Sequence, residues 1–167
     1  MDEAAETVPA GSDGLRVLPF GNGAERVLGN RNVGAAFAGL DLVRHGQAHL
    51  LRAVQEGIAF SFRYGIDVMR DLGLDLRVIR AGKANLFLSP LFRETLATLC
   101  GADIQLCNTD GSLGAARGGA LGAGYYASAS EAFATLEQVG SVSPRAEWKA
   151  ALEEAYGQWK EQLSKSL

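Results

Sequence analysis

The sequence has few of the features that mark secreted, membrane or nucleic-acid-binding proteins. Only two of its 167 residues are cysteines, Cys100 and Cys107, and they form neither a Cys-x-x-Cys pair nor a disulfide framework. We expect both to be reduced, buried and apolar in behaviour. Long hydrophobic runs are missing, because Arg, Gln or Glu interrupts every apolar window well before the roughly 18 residues that a membrane span needs. The acidic start MDEAAE is not a signal peptide, so we expect a soluble cytoplasmic protein.

Neither sign of charge is in large excess, and histidine is scarce. The 16 basic and 19 acidic residues give a formal net charge of −3, and no basic run is interleaved with aromatics. This composition excludes an obvious nucleic-acid-binding face. The two histidines, His45 and His49, are four positions apart, a spacing that suits two metal ligands on a helix, but no third ligand is near them in the sequence. We therefore assign no metal site and interpret both as capping or packing residues.

Glycine is abundant, with 21 residues, and many of them fall in segments 11–39 and 111–124, where close backbone contacts are expected. The remaining pattern alternates apolar β-branched runs with helical periodicities. It predicts strands at 15–20, 34–40, 76–79 and 104–107, and helices at 47–72, 90–100, from 111, at 130–136 and after Ser143-Pro144. This alternation within a length typical of one domain indicates an α/β fold.

Three helices carry more specific predictions. On the longest, apolar residues from Leu51 to Leu72 predict a largely buried face, and the polar stripe from Arg52 to Asp71 predicts a solvated, ion-paired face. Its two glycines, 57 and 65, indicate that another element packs closely there. The helix from Gly111 has two adjacent rows of small residues, against which we expect a core element or a ligand to pack. On the last helix, Trp148, Leu152, Tyr156, Trp159 and Leu163 share a face that either docks on the domain or binds a partner.

The segment 76–101, LRVIRAGKANLFLSPLFRETLATLCG, is the predicted ligand site. It consists of a buried strand, a small-residue turn and a helix with Ser89 as N-cap, Pro90 at the first position and Gly101 as the stop. Such a turn at the carboxyl end of a strand suits phosphate or a nucleotide. An ordinary tight connection between strand and helix explains the same residues. The candidate nucleotide-binding residues are Ala81, Gly82, Lys83, Ala84 and Asn85.

Four segments, in order, carry a resemblance that extends over nearly the whole chain. They are LPFGNGAER at 18–26, AAFAGL at 35–40 followed by His49-Leu50 and Ala53-Val54, AGKAN at 81–85, and GSLGAA at 111–116. Together they resemble the C-terminal part of a carbohydrate kinase of the FGGY family, most of all its xylulose kinases.

The resemblance implies an actin-like ATPase (ribonuclease H-like) fold and transfer of the γ-phosphoryl group of ATP, with Mg²⁺, to D-xylulose. It also implies that residues 1–167 are a single C-terminal, ATP-binding domain. The sugar-binding N-terminal domain and its catalytic aspartate would lie outside this chain, so no catalytic residue is assigned. An absent segment would leave a sheet edge unpaired, which homodimerisation or slow aggregation would reveal. The alternatives are a kinase for gluconate, glycerol or ribulose, and a non-catalytic nucleotide- or partner-binding module of the same fold.

Among the five candidates, the resemblance and the local chemistry suggest different roles. The Gly82 backbone would permit close approach of the nucleotide, Lys83 would contact phosphate, and Asn85 would form hydrogen bonds with the ribose or the base.

Overall fold

The computed structural model describes residues 2–167 and shows helices alternating with strands. In chain order the elements are α1 (Asp2–Glu6), β1 (Arg16–Phe20), β2 (Gly34–Ala38), α2 (Gln47–Asp71), β3 (Val78–Gly82), α3 (Pro90–Cys100), β4 (Asp103–Cys107), α4 (Gly111–Gly122), α5 (Ala129–Ala132), β5 (Gln138–Val142) and α6 (Ala146–Ser166). Short 3₁₀ turns lie at Ser12–Gly14, Arg26–Leu28 and Asn85–Leu88. The predicted strands and main helices are confirmed, with shifted ends. Strand β5 was not predicted, and the predicted helix at 130–136 is only the four-residue α5.

The strands form two sheets. β1 pairs with β2 in antiparallel fashion, while β3 and β4 run parallel and β5 lies antiparallel on the far side of β4. Alternate residues of the three-stranded sheet, including Ile79, Ile104 and Leu106, pack into the core. On its opposite face Arg80 donates a hydrogen bond to Gln105 at 3.2 Å. The sheet therefore has one apolar and one polar face, as expected when helices cover only one side.

The core lies between the sheets and helices α2, α3 and α6. Its centre is aromatic, with Phe60, Phe92, Tyr156 and Trp159 buried together. The Trp159 indole N–H donates to the carbonyl of Val17 at 2.8 Å, which ties α6 to β1. The predicted docking of the last helix is confirmed, and the alternative, that this face binds a partner, is wrong because the chain itself buries it.

Both cysteines are free and buried, as predicted. Burial raises the pKa of the Cys100 thiol to about 11, which keeps this sulfur in its unreactive thiol form at neutral pH.

The N-terminal half of α2 contradicts the prediction of a solvated polar stripe. Arg52 and Glu56 form an ion pair at 2.8 Å, and their side chains are 2% and 1% exposed. Glu56 also accepts hydrogen bonds from the Gly11 amide at 2.9 Å and from the Ser12 hydroxyl at 2.8 Å. The pair is buried because the segment that precedes β1 folds over it and uses its carboxylate. Farther along, Arg63 and Asp67 form a half-buried ion pair at 2.7 Å, in agreement with the predicted ion-paired face.

The segment held by Glu56 is a turn in an unusual backbone conformation. Gly11, Ser12, Asp13 and Gly14 have φ values of 90°, 47°, 48° and 92°, so the chain stays left-handed for four residues. His45 and His49 contact this turn, through the Asp13 carbonyl at 3.2 Å and the Asp13 carboxylate at 3.1 Å.

Both histidines also accept backbone hydrogen bonds before α2. His45 Nδ1 accepts from the amide of Asp41 at 3.0 Å and His49 Nδ1 from the amide of Gly46 at 3.2 Å. The interpretation of both as capping or packing residues is confirmed. Residues 2–167 contain no group of three or more His, Cys, Asp or Glu side chains placed to hold a metal ion.

The C-terminal half of α2 is less covered than its periodicity predicts. Phe62, Met69 and Leu72 are 47%, 37% and 77% exposed, so the prediction that they are buried is wrong. The prediction of close packing at the helix glycines holds at Gly57, where an added Cβ would lie 2.4 Å from the Val17 carbonyl oxygen. At Gly65 the nearest atom to such a Cβ is Val27 Cγ2, at 4.0 Å.

Helix α4 is also less covered by other elements than its sequence predicts. Asp110 caps its first turn, accepting from the Leu113 amide at 2.8 Å. However, no residue of α4 is buried, and apart from adjacent residues and the backbone of α4 itself, no described atom lies within 4 Å of a Cβ added at Gly111, Gly114, Gly118, Gly119 or Gly122. The expectation that a core element packs on its small residues is wrong for residues 2–167. Among the helices described, none combines the length and apolarity that crossing a membrane requires.

The buried carboxylate yields a test of stability. We expect Glu56→Gln to lower the free energy of unfolding by about 3–5 kcal/mol, because it leaves the Arg52 charge buried without its partner. The control is Glu153→Gln, which removes the more exposed partner of Arg63 and should cost no more than about 1 kcal/mol. Urea denaturation followed by far-ultraviolet circular dichroism measures both. Equal losses in the two variants would contradict the central role of Glu56.

Candidate functional site

The candidate site lies where the parallel strands β3 and β4 end side by side. Gly82 is the last residue of β3 and is paired with Cys107, the last residue of β4. From this edge one connection runs through Lys83 and the 3₁₀ turn at Asn85–Leu88 into α3, and the other runs through residues 108–110 into α4. Ligands of α/β sheets tend to bind beyond the carboxyl ends of the strands, so this edge is the expected place.

The connection into α3 is held by local hydrogen bonds. The Ser89 hydroxyl accepts from the Phe92 amide at 3.1 Å, which confirms the predicted N-cap, and it donates to Gln55 of α2 at 3.1 Å. Arg93 donates to the carbonyl of Phe87 at 2.7 Å. Asn85 has φ of 51°, a conformation that asparagine tolerates better than most residues. A rigid connection of this kind presents the turn before α3 in one conformation.

Position 82 requires glycine because the two connections touch each other there. A Cβ added there would lie 2.4 Å from the carbonyl oxygen of Thr109 and 3.2 Å from Cα of Asp110. Glycine at this position therefore lets β3 approach the segment before α4. This packing contact alone explains why residue 82 is glycine, without a ligand. The close approach also brings residues 83–85 and Asp110 to the same edge.

Two neighbouring clefts open at this edge. The first, of about 300 Å³, has a largely apolar wall and is lined by Phe62, Gly82, Ala84, Asn85, Leu86, Phe87, Phe92, Asp110 and Gly111. Its phenyl rings meet edge to face, with centroids of Phe62 and Phe87 6.5 Å apart and of Phe87 and Phe92 5.5 Å apart. The second cleft, of about 400 Å³, is more polar and more open. It is lined by Lys83, Ala84, Asn108, Thr109, Asp110, Leu113 and Val139.

The two charged side chains at the clefts differ in whether they already have a partner within the chain. The side chain of Lys83 makes no hydrogen bond or ion pair with any described residue, so its ammonium group is available to a ligand. One oxygen of Asp110 is engaged in capping α4. The first amides of α4, those of Gly111 and Ser112, have no acceptor within their own helix. The arrangement combines an apolar wall for a flat ring system with a cation and amide donors beside it.

Comparisons with known proteins agree with this arrangement. No family model matches the chain. It is 32% identical over 124 residues to the xylulose kinase of Haemophilus influenzae, a match that covers 72% of this chain and 24% of that protein. With the L-xylulose/3-keto-L-gulonate kinase of Escherichia coli it shares 31% identity over 136 residues, covering 79% and 26% of the two chains. The crystal structure of xylulose kinase from Rhodospirillum rubrum superposes with a TM-score of 0.77 at 25% identity, over 98% of this chain and 33% of that one.

The chain belongs to the FGGY family of carbohydrate kinases. It spans about a quarter of the length of the curated kinases that it matches. The predicted actin-like ATPase, ribonuclease H-like fold is confirmed by the structural matches. The gluconate kinase of Lactobacillus acidophilus has the same fold, with a TM-score of 0.77 at 21% identity over 98% of this chain and 33% of that one.

In this member of the FGGY family, four of the five predicted site residues line the clefts. Gly82 and Asn85 line the first, Lys83 lines the second, and Ala84 lines both. Ala81 lines neither, since it packs against the hydrophobic core. A role in nucleotide binding remains a prediction for all five.

Sequence reasoning missed Phe62 and Asp110 as site residues. Phe62 was assigned to the apolar face of α2, and only the tertiary structure brings it beside Phe87. From the sequence, Asp110 is only one of two candidates, with Thr109, for the cap of α4. Its position after a strand that neighbours β3 was the signal that would have placed it at the same edge.

The contact at Gly82 predicts a structural effect that is separate from ligand binding. We expect Gly82→Ala to lower the free energy of unfolding by about 1–3 kcal/mol, because the new methyl group overlaps the Thr109 backbone. Gly111→Ala is the control: it borders the same cleft but meets no atom within 4 Å, and it should change stability by at most about 0.5 kcal/mol. Urea denaturation of both variants checks the difference, and equal stability of the two would contradict the close approach.

Proposed function

We propose that this chain supplies the nucleotide-binding elements of an ATP-dependent sugar kinase that converts D-xylulose to xylulose 5-phosphate in xylose metabolism. The observation that carries the proposal is its similarity, in both sequence and fold, to kinases named for xylulose. Residues 1–167 act in this proposal as one C-terminal, ATP-binding domain in the cytoplasm. A sugar-binding N-terminal domain, the partner that completes the enzyme, carries the catalytic base.

The clefts fit a nucleotide. Phe62 and Phe87 give the first cleft an apolar wall suited to adenine, and the Asn85 amide beside them offers both a donor and an acceptor for the base or ribose. In the neighbouring cleft Lys83 contributes a flexible cation that suits phosphate oxygens. A base in the first cleft would therefore direct its phosphates toward the second.

Mg²⁺ fits this chain as a companion of the phosphates rather than as a resident ion. It commonly keeps several waters and binds proteins through one or two carboxylates plus the phosphates of the substrate. Asp110 is the carboxylate that borders both clefts, and its second oxygen makes no hydrogen bond with the described residues. When bound, the ion would neutralise phosphate charge during transfer.

The residues of this chain contribute binding and orientation. Phosphoryl transfer depends mainly on positioning and on electrostatic stabilisation of the phosphates. The hydrogen-bonded turn before α3 holds Asn85 in place, and the contact of Gly82 with Thr109 keeps the two clefts side by side. Lys83 stabilises phosphate charge, while the base that activates the sugar hydroxyl comes from the N-terminal domain.

Nucleotide binding is tested by calorimetric titration of the chain with ADP and Mg²⁺. We expect Lys83→Ala to weaken ADP binding about tenfold, the loss of one charge-assisted contact, and to leave adenosine binding unchanged. Asn85→Gly keeps the left-handed backbone while removing the amide, so it should weaken ADP and adenosine alike. The control is Lys149→Ala on the exposed side of α6. Wild-type affinity in both cleft variants would contradict the proposed site.

Activity is tested in a chimera in which this chain replaces the region of the Haemophilus influenzae xylulose kinase that contains the 124 matched residues. The rest of that kinase provides the sugar-binding part in this design, so D-xylulose is the sugar to test. We expect the chimera to release ADP when D-xylulose and ATP are present, because this chain supplies the nucleotide-binding elements. Saturable ADP binding without phosphorylation of D-xylulose would instead favour a non-catalytic nucleotide-binding module.

A further inference from the structure

Gln55 is a glutamine of α2 that is only 9% exposed and forms hydrogen bonds in two directions. Its Nε2 group donates to the carboxylate of Asp2 in α1 at 3.0 Å, and its Oε1 atom accepts from the Ser89 hydroxyl at 3.1 Å. A buried amide that is bonded at both ends is held in one orientation. Gln55 therefore joins α1 to the residue that caps α3.

The Asp2 carboxylate decides the direction of these hydrogen bonds. An ionised carboxylate can only accept, so the amide nitrogen of Gln55 must face Asp2 and its carbonyl oxygen must face Ser89. The Ser89 hydroxyl then donates to Gln55, and its lone pairs remain available to the Phe92 amide, from which it accepts at 3.1 Å. We call these three side chains, Asp2, Gln55 and Ser89, the Gln55 relay. Its direction is the one that the N-cap of α3 requires.

Hydrogen bonding between α2 and the turn before α3 is limited to this relay. The bond between Ser89 and Gln55 is the only one that joins α2 to residues 83–89 in the part of the chain that the structure describes. Arg93 donates to the Phe87 carbonyl at 2.7 Å, but Arg93 belongs to α3 and so fixes the turn only on its own helix. The position of the turn relative to α2 therefore depends on the relay and on apolar contacts.

The apolar contact between α2 and the turn is less directional than the hydrogen bond. Phe62 follows Gln55 by almost two full helical turns, so both residues lie on the same side of α2. There Phe62 meets Phe87 edge to face, with ring centroids 6.5 Å apart. Aromatic pairs are stable over centroid distances of about 4.5–7 Å, whereas a hydrogen bond weakens steeply as its angle departs from linearity. The relay is therefore the contact that fixes where the turn lies along α2.

The turn also has open space beside it. A cleft of about 360 Å³, the rear cleft, is lined by residues of α2 and of the turn, among them Leu51, Val54 and Leu88. Asn85 and Leu86 line both the rear cleft and the first cleft, so the turn forms the wall between the two. Close packing normally holds a segment in place, and a wall between two clefts has less of it. The turn is free to shift unless the relay holds it.

We propose that Gln55 is a positioning residue for the nucleotide. Through Ser89 it holds the turn at Asn85–Leu88 at the place along α2 where the first cleft can receive the base between the turn and Phe62. The inference rests on the proposed function and deepens it. Gln55 does not contact the nucleotide, since it lines the rear cleft and not the first. Without the relay the turn shifts along α2, which misplaces both Asn85 and Phe87.

An isosteric exchange tests the relay by calorimetric titration at pH 8. Gln55→Leu removes both hydrogen bonds, and Gln55→Glu sets a second carboxylate against Asp2. We expect each variant to bind ADP and adenosine about three- to tenfold more weakly than the wild type, the effect of one lost hydrogen bond. Asp2→Asn combined with Gln55→Glu exchanges the amide and the carboxylate, so both bonds can form again and affinity should return to within about twofold of the wild type. Wild-type affinity in Gln55→Leu, or no recovery in the double variant, would overturn the proposal.

A matched control and the kinetics separate positioning from general stability. Gln158→Glu makes the same exchange of amide for carboxylate on α6, where Gln158 accepts from Arg16 at 2.8 Å, and it should keep wild-type affinity for ADP. In the chimera described above, Gln55→Leu should raise the KM for ATP by the factor found in the titration and leave kcat and the KM for D-xylulose within about twofold, the pattern of a lost binding interaction. Equal losses of affinity in Gln55→Glu and Gln158→Glu, or a fall in kcat alone, would overturn the proposal.

Amide hydrogen exchange follows the turn without any ligand. The Phe87 and Ser89 amides donate hydrogen bonds within the turn, and in Gln55→Leu we expect them to exchange at least about threefold faster than in the wild type. If the wild type binds no ADP, the proposed function fails, and exchange alone decides the positioning role: faster exchange supports it and unchanged rates overturn it. If Gln55→Leu does not fold, Asp2→Ala takes its place, because it removes only the partly exposed end of the relay, and wild-type exchange and affinity in that variant would overturn the proposal.

Discussion

The fold depends on two consecutive residues of α2. Glu56 accepts hydrogen bonds from the Gly11–Gly14 turn and forms a buried pair with Arg52, while Gly57 lets β1 lie directly against the helix. The turn has four successive left-handed residues, a conformation that persists only where the surroundings determine it. It leads into β1, where the Val17 carbonyl contacts Gly57 and accepts from Trp159. The Glu56 carboxylate and the absence of a side chain at Gly57 thus fix β1, α2 and α6 relative to one another.

Much of the fold was predictable because its signals are local. Ser89, Pro90 and Gly101 delimit α3 through capping chemistry that acts within a few residues, and the apolar face of α6 repeats at helical spacing. β5 was missed because Gln138–Val142 is short and contains a glycine and a serine, and its pairing with β4 stabilises it more than its own propensity does. Periodicity also gave wrong predictions of burial for both halves of α2: polar residues of the first half are buried, and apolar residues of the second half are exposed. It identifies the two faces of a helix, but tertiary partners decide which of them is covered.

The candidate site shows the same division between local and tertiary information. The turn with Gly82, Lys83 and Asn85 was predictable because small and polar residues follow a β-branched strand before a capped helix. Its neighbours were not, since Phe62 and Asp110 reach the site only when α2 and α4 are placed around the sheet. Even the reason for glycine at 82 is tertiary, because it lies in a contact with Thr109 from another connection. A glycine-containing turn therefore marked the right edge of the sheet without revealing what occupies it.

The environments of the two tryptophans give the chain two distinguishable optical probes. Trp159 is fully buried and donates its indole N–H to Val17, so its emission is expected at short wavelength and reports on the joining of α6 to β1. The ring of Trp148 packs against two guanidinium groups, with Arg52 4.9 Å and Arg145 4.2 Å from its centroid. Because Arg52 is also the partner of Glu56, the emission of Trp148 is sensitive to the charge pair beneath the left-handed turn. Time-resolved fluorescence can therefore follow the opening of that turn separately from the loss of the aromatic core.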